Sequence, residues 1–173
     1  NNFFNKQQKT IHINFESHLI GHLQSNKIKK ATEIFDVIQT VDSIKVAAKI
    51  NKQLFTLNNK QRIYIQINIG NDPNKFGFKP QDLLQKIEKI EEMKHLKIEG
   101  IMTILPYLEN PKSTESLFKK TRHTFEEIKQ KISPTCQKIS MGMSRDYIYA
   151  LKQGATHIRI GTLLYGSRPT NIY

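Results

Sequence analysis

The sequence predicts an α/β fold in which parallel strands alternate with helices. Six short apolar runs rich in β-branched residues are separated by longer stretches of helical periodicity, and no Gly/Ser-rich linker divides the chain. Strands that alternate with helices pair in parallel through right-handed crossovers. An open doubly wound sheet and a (β/α)8 barrel both fit this order of elements.

The apolar runs are the predicted strands, and their number bears on the architecture. They are HLIGH (18–22), DVIQTV (36–41), RIYIQINIG (62–70), IEGIMTI (98–104), KISMGM (138–143) and HIRIG (157–161). Six strands would complete an open sheet, whereas a barrel needs eight strands and typically about 250 residues. The 173-residue chain would then be two β/α units short, and the polar, irregular stretch 1–17 places the missing part at the N-terminus. No glycine-rich nucleotide loop follows an early strand, which weighs against a nucleotide-binding open sheet. These patterns leave both architectures open.

Five helices are predicted between and after these strands. They cover residues 26–35, 42–57, 80–96, 113–132 and 145–155. Asp42 or Ser43 is suited to cap the second helix, and Pro80 to the first turn of the third. Ser113 and Ser116 are the cap candidates for the fourth.

The net charge of +12 does not by itself indicate a nucleic-acid partner. Of the 27 cationic residues, 22 are lysine and only 5 are arginine, and isoleucine (24) and asparagine (13) are also abundant. These residues have AT-rich codons, so nucleotide bias explains the basicity. The lysines are scattered and do not interleave with aromatic residues. We therefore expect no specific nucleic-acid partner.

Other compositional features favour a cytoplasmic globular protein that does not cross a membrane. No apolar run approaches the roughly 20 residues that span a bilayer. The first residues lack the apolar core and cleavage site of a secretory signal. Cys136 is the only cysteine, so a disulfide framework and a cysteine-based metal site are both excluded.

The last two predicted strands carry the residues best suited to bind a phosphate. In (β/α)8 barrels, the loops after the last two strands commonly form a phosphate site together with a helix N-terminus. Ser144 follows one strand, and Gly161 and Thr162 follow the other, where a glycine permits close approach and Thr162 offers an N–H and a hydroxyl. Ser144 could instead be a helix N-cap. Arg159, in the middle of the last strand, could be a salt-bridged barrel residue.

Five segments, taken in order, carry a resemblance to a known family. They are HLIGHLQSNK (18–27), IQINIGNDPNKFGF (65–78), IEGIMTI (98–104), SMGMSRD (140–146) and IRIGTLLYGSR (158–168). Together they strongly resemble the pyridoxal phosphate (PLP) homeostasis proteins, which have an alanine-racemase-like barrel without a second domain. The resemblance implies a TIM-type (β/α)8 barrel with about six of its eight units present. Residues 1–173 would then form a single, N-terminally incomplete PLP-binding domain.

The resemblance also implies a cofactor and a set of contacts. PLP is the expected cofactor, with phosphate contacts at the positions matching Met143, Ser144, Gly161 and Thr162. Arg159 matches the arginine that faces the pyridine nitrogen in alanine-racemase-like barrels. An arginine is effectively always protonated, so it donates to that nitrogen and discourages its protonation. A ring left unprotonated is a weak electron sink, which disfavours carbanion chemistry.

The function that follows is a non-catalytic carrier that regulates the cellular level of PLP. A racemase or decarboxylase on the same barrel is an alternative, but an alanine racemase would need a second domain supplying a tyrosine base. A degenerate fragment with weak or no cofactor binding is a further alternative. We expect a monomer, with association through exposed barrel edges as a second option because unpaired edges invite pairing.

The chain departs from the family pattern at several positions. The family's early strand with the lysine that holds the cofactor aldehyde has no counterpart in the sequence, and neither has its glycine-glutamate-asparagine segment. Lys6 and Lys9 lie in a polar stretch without a strand pattern, so neither is assigned that role. Ser17 stands where a tryptophan is frequent, and Arg145 where an acidic residue is usual.

Several further residues are given lesser roles. His18 and His22 would share a strand face about 13 Å apart, too far for one metal ion, so no metal site is predicted. The resemblance places four residues at the rim of the cofactor pocket: Asn26, Lys27, Lys75 and Gly77. Met102 and Thr103 are expected at the pocket mouth, although a methionine there is more often a packing residue.

Overall fold

The strands form one parallel sheet whose order follows the sequence. The computed structural model describes residues 15–166. Its six-stranded sheet has the order β1-β2-β3-β4-β5-β6, and every neighbouring pair is parallel. The strands are β1 (His18–Leu19), β2 (Val37–Val41), β3 (Gln61–Ile67), β4 (Leu96–Thr103), β5 (Lys138–Met143) and β6 (His157–Arg159). The six predicted strands are therefore confirmed, although the first and last are shorter than their apolar runs.

The helices connect successive strands. They are α1 (Ile28–Ile34), α2 (Ile44–Phe55), α3 (Leu83–Glu91), α4 (Pro111–Lys131), α5 (Tyr147–Lys152) and α6 (Thr162–Tyr165). Short 3₁₀ turns at Ser25–Lys27 and Pro80–Asp82 lead into α1 and α3. The first five helices confirm the predicted ones, and the four-residue α6 is additional.

Two helix starts show how capping decides the boundary. Ser43 caps α2, since its hydroxyl accepts a hydrogen bond from the Val46 N–H at 3.3 Å. The predicted caps Ser113 and Ser116 of α4 are wrong, because α4 begins two residues before Ser113. Asn110 caps it instead, accepting from the Lys112 N–H at 2.9 Å. Pro111 occupies the first helical position, where its fixed φ is favourable and its missing N–H costs nothing.

The sheet curls so far that its two edge strands meet across the interior. Neighbouring strands are about 4.8 Å apart, so the edges of a flat six-stranded sheet would lie about 24 Å from each other. The ring centroids of His18 on β1 and His157 on β6 are nevertheless only 5.6 Å apart. The sequential order also has no reversal point of the kind found in open doubly wound sheets. The fold is therefore a partial TIM-type barrel.

Two apolar clusters lie on opposite faces of the curled sheet. The larger one packs the outward side chains of the strands, such as Ile38, Ile65 and Ile139, against the helices. The smaller one, Val37, Tyr64 and Met102, fills part of the barrel interior. This division follows from the alternation of side chains along each strand, as Val37 and Ile38 illustrate.

An ionic network lies among the inward-facing residues near the amino ends of the strands. Arg62 contacts Glu16 at 2.6 Å and Glu99 at 3.5 Å, so it joins β3 to β4 and to the segment before β1. Glu16 also accepts a 2.6 Å contact from His18. These ion pairs fix the edge strand β1, which has only two residues of regular pairing.

Candidate functional site

The turn after β5 depends on a glycine at Gly142. Its φ of +91° lies in the region that residues with a Cβ rarely adopt. A Cβ there would stand 2.6 Å from the Ala150 Cβ and 2.9 Å from the Tyr147 Cα. Helix α5 can therefore pack directly on the end of β5 only because residue 142 is glycine. The same turn brings Ser144 to the carboxyl end of the sheet.

Ser144 connects the turn after β5 with the turn after β6. Its hydroxyl accepts a hydrogen bond from the Gly161 N–H at 3.3 Å. The alternative assignment of Ser144 as a helix cap is wrong, because α5 begins at Tyr147 and Asp146 occupies the N-cap position. The two motifs from the end of the sequence therefore meet at one place.

Open space adjoins Gly161 at this meeting point. Among residues 15–166, leaving out Gly161 itself and its two chain neighbours, no atom lies within 4 Å of the position that a Cβ on Gly161 would occupy. Helix α6 begins at the next residue, Thr162, so the first amides of that helix have no carbonyl partner within it. The turn thus offers the first N–H groups of α6 and the Ser144 hydroxyl beside a volume that no residue of the described chain fills.

Met143 is held at the edge of this site by its backbone. Its N–H donates to Asp146 Oδ1 at 2.6 Å, and its side chain is 44% exposed. The Met143 amide is therefore already engaged by a carboxylate. Among the predicted contact residues, Ser144, Gly161 and Thr162 are directly brought together, and Met143 flanks them.

Arg159 points into the barrel and not into water. Its Nη1 donates to Ser140 Oγ at 2.8 Å, and its Nη2 donates to the Thr103 carbonyl oxygen at 2.8 Å. No carboxylate within residues 15–166 forms an ion pair with it, so the alternative assignment as a salt-bridged arginine is wrong. Burial lowers the pKa of Arg159 to about 10, and the more distant charge of Asp146 opposes this shift only partly.

The tethers on Arg159 were not predicted from the sequence. Ser140 is fully buried and pairs in register with His157 on the neighbouring strand, two residues before Arg159. The alternation of side chains along a strand places residues 157 and 159 on the same face. This alternation was the only feature of the sequence that could have indicated that Arg159 lies near Ser140. The Thr103 side chain does not face the site, since its hydroxyl donates to the Ile67 carbonyl at 2.9 Å. Met102 is a packing residue of the inner cluster.

Two of the predicted rim residues contribute to a groove at the carboxyl ends of the first three strands. Lys75 and Gly77 line a groove of about 430 Å³ built by the loops after β1, β2 and β3. His22 also lines it, stacked on Phe76 with centroids 3.8 Å apart and paired with Asp42 at 3.2 Å. The groove shares no lining residue with the site around Ser144 and Arg159. Asn26 and Lys27 are exposed in the turn before α1.

The prediction that His18 and His22 lie on one face of the same strand is wrong. Strand β1 ends at Leu19, so His22 lies in the following loop. No group of three histidine, cysteine or carboxylate side chains converges on a common point in the described residues 15–166. Within the same residues, no helix has the length and apolar character needed to cross a bilayer. Lys6, Lys9 and Arg168 lie outside the part of the chain that the structure describes.

Comparison with known families identifies the fold and the relatives. The alanine racemase N-terminal domain family matches residues 8–169. A pyridoxal phosphate homeostasis protein of Aquifex aeolicus is 37% identical over 96% of this chain and 73% of its own length. The chain belongs to the pyridoxal phosphate homeostasis protein family. A second member, from Haemophilus influenzae, is 40% identical over 90% of this chain and 66% of its own length.

Solved structures agree with this family membership. PipY of Synechococcus elongatus, determined without PLP, has a TM-score of 0.84 and 35% identity, covering 94% of this chain and 77% of PipY. PipY with PLP bound has a TM-score of 0.83 and 32% identity, covering 95% and 76%. Alanine racemase of Clostridium difficile, at 20% identity and a TM-score of 0.72, shares the fold alone, covering 97% of this chain and 45% of the racemase. The chain thus spans about two thirds to three quarters of the length of these homeostasis proteins.

Proposed function

We propose that this chain binds PLP and acts in intracellular PLP homeostasis as a non-catalytic carrier in the cytoplasm. Its relatives at 37% and 40% identity are named pyridoxal phosphate homeostasis proteins, and the solved structure of one relative contains PLP. The observation that carries the proposal is the inward guanidinium of Arg159. It stands without a carboxylate partner in the described chain, on the strand that leads into the Gly161 turn.

The residues at the ends of β5 and β6 suit the two polar parts of PLP. The Ser144 hydroxyl and the Thr162 N–H suit a phosphate, with the Met143 backbone at its edge. The Gly161 N–H, which donates to the Ser144 hydroxyl oxygen, would have to exchange that partner for the phosphate. Arg159 suits an acceptor such as a ring nitrogen, because two of its five N–H donors are engaged by Ser140 and Thr103 and the others remain to donate. The open volume beside Gly161 gives the ligand room.

The charge of Arg159 bears on the chemistry that a bound PLP ring could support. Bound PLP supplies a reactive aldehyde and a pyridine ring that draws electrons best when its nitrogen is protonated. A buried cation facing that nitrogen opposes protonation, because two like charges at close range repel each other strongly. Arg159 would therefore disfavour ring protonation, as the matching arginine of alanine-racemase-like barrels would, so the preference for a carrier rests on the names of the relatives. A racemase-like enzyme is the competing function.

Equilibrium dialysis with PLP, read by absorbance, tests the binding site. We expect Arg159→Ala and Ser144→Ala each to weaken PLP binding about tenfold, because each removes a hydrogen bond to a charged or strongly polar group. Arg122→Ala on the outside of α4 and Ser133→Ala in a buried turn are matched controls that should leave binding unchanged. Unchanged affinity in both site variants would move the site elsewhere.

Two further assays separate the competing functions. Borohydride reduction followed by mass mapping reports whether PLP is held covalently, and the proposal for this chain is non-covalent binding. A reduced pyridoxyl group on one lysine would contradict that part. Incubation of the PLP-loaded chain with several L-amino acids, followed by chiral chromatography, should show no racemisation above free PLP. Turnover that Arg159→Ala abolishes would instead support an enzyme.

A further inference from the structure

Arg159 is fixed by two acceptors that carry no charge. The Ser140 hydroxyl oxygen accepts from Nη1 and the Thr103 carbonyl oxygen accepts from Nη2, each at 2.8 Å. A guanidinium has five N–H donors in a planar fork. The two contacts therefore leave three donors, one of them on Nε, and hold both terminal nitrogens in one orientation.

The strand register explains why these two acceptors are available. The ladder between β4 and β5 extends to the pair Met102–Ser140, and the Thr103 carbonyl lies one residue beyond it. Ser140 is fully buried, so its hydroxyl is shielded from bulk water. Ser140 also pairs with His157 on β6, which places it one step below Arg159 on the inner face.

We infer that Ser140 is a positioning residue that, together with the Thr103 carbonyl, orients the Arg159 guanidinium toward its ligand without neutralising it. This inference rests on the proposed PLP-binding function. A carboxylate at position 140 would orient the arginine equally well, but it would form an ion pair and cancel much of its field. A hydroxyl and a carbonyl fix the cation and leave its charge for the ligand. Selectivity for an unprotonated ring nitrogen follows from this arrangement.

The orientation of Arg159 can be measured without PLP. In the ¹⁵N spectrum of the arginine side chains, the tethered guanidinium of Arg159 should give separate Nη signals because rotation about its Cζ–Nη bonds is slowed. Arg159→Lys identifies the signals by removing them. Ser140→Ala should average them, whereas Ser133→Ala, which also removes the hydroxyl of a fully buried serine, should not. Separate signals that persist in Ser140→Ala would overturn the inference.

The effect on PLP is measured by a double-mutant cycle. Ser140→Ala should weaken PLP binding about threefold to tenfold in the parent chain and should have no further effect in an Arg159→Ala background. The pH at which the absorbance of bound PLP changes should also be higher in Ser140→Ala. A misdirected cation no longer opposes protonation of the ring nitrogen, so the ring is protonated at a higher pH. Equal losses in both backgrounds would show that Ser140 acts independently of Arg159 and would overturn the inference.

Two outcomes distinguish this inference from the proposed function. A parent chain that retains no PLP, but whose Arg159 signals depend on Ser140, would overturn the function and support the tether. A parent chain that binds PLP through Arg159, with affinity and spectra indifferent to Ser140→Ala, would overturn the inference alone. Ser140→Cys, which leaves no cavity but accepts hydrogen bonds weakly, should behave like Ser140→Ala and covers the case in which the alanine variant folds poorly.

Discussion

At the scale of single residues, two neighbouring turns contain glycines with different roles, one in folding and one in binding. Gly142 is confined by its positive φ and by Ala150, so its reason is internal to the protein. Gly161 has a negative φ of −120°, and in the described part of the chain only its own neighbours lie near its missing Cβ, so packing among those residues does not explain it. Gly142 is therefore needed for packing within the protein, whereas the reason for a glycine at position 161 points to a ligand.

Alanine substitutions should reveal this difference. Gly161→Ala should change the free energy of unfolding by no more than about 0.5 kcal/mol, while PLP binding falls at least tenfold because the methyl group fills the ligand volume. Gly142→Ala should lower that free energy by about 2 kcal/mol or more through strain and overlap. Urea unfolding and dialysis measure the two quantities. Gly21→Ala is the control, since nothing lies within 4 Å of its Cβ position either. Full PLP affinity in Gly161→Ala would contradict the proposed site.

At the scale of elements, the sequence was most informative about the existence of strands and least informative about their ends. The β-branched runs predict every strand, because such runs are needed on a sheet covered by helices. The ends depend on local competition that hydrophobic patterns do not contain. Helix α4 starts at Asn110 and Pro111 because these residues cap it better than Ser113 would. Strand β1 ends after Leu19, where it pairs with one neighbouring strand. The contacts of Arg159 with Ser140 and Thr103 depend on strand register, which no local pattern encodes.

The edge strand β1 is attached to β2 by a polar clamp. Asp36 Oδ2 accepts from both the N–H and the hydroxyl of Ser17, each at 2.7 Å, and the Ser17 hydroxyl oxygen accepts from the Asp36 N–H at 3.1 Å. These hydrogen bonds from Ser17, side chain first and backbone second, lower the pKa of the Asp36 carboxyl. A serine at position 17 therefore has a structural role of its own.

The clamp predicts a specific acid sensitivity. A carboxyl whose folded pKa lies below its unfolded value of about 3.9 contributes stability above that pH and loses the contribution as the pH falls through the folded pKa. Asp36→Asn should therefore cost about 1 kcal/mol near neutral pH, an amount reduced by the exposure of the site, and progressively less as the pH falls through the folded pKa. Urea unfolding across this range measures the difference, with Glu109→Gln as an exposed control. A cost that is independent of pH would contradict the clamp.

At the scale of the whole molecule, the barrel has a stable centre and two weak edges. Strands β3 and β4 pair along seven residues, whereas β1 and β6 each register at two positions with one neighbour. Several large apolar side chains are exposed beside the β6 edge, namely Ile148, Leu151, Ile158, Leu163, Leu164 and Tyr165. Local stability should therefore decrease from the centre of the sheet toward both edges.

Native-state hydrogen exchange measures this gradient. Amides of β3 and β4 should exchange only through global unfolding, and amides of β1 and β6 through local opening of much lower free energy. Mass spectrometry of peptic fragments resolves the strands. Equal protection in all six strands would show that the edges are covered in solution, for example by a second copy of the chain.

Cys136 gives an independent measure of the same global event. The thiol is fully buried, and burial raises its pKa to about 12, so almost no thiolate exists at neutral pH in the folded chain. A thiol-specific reagent should modify Cys136 only after the protein opens. The rate of modification should be proportional to the population of opened molecules. Reaction in urea supplies the unprotected rate. Modification of the folded chain at that same rate would contradict the burial of Cys136.

The ring contact between His18 and His157 has a consequence for chain connectivity. The curl brings inward side chains of the first and last strands into contact, but these strands run parallel, so a peptide from the end of β6 to the start of β1 would need about a dozen or more residues to cross the sheet. With such a connector, fresh termini could be opened in the surface turn at residues 71–74. Such a circular permutant would keep every strand neighbour while reversing which strands are made first on the ribosome. Synthesis order and barrel closure could then be varied separately in one and the same sequence.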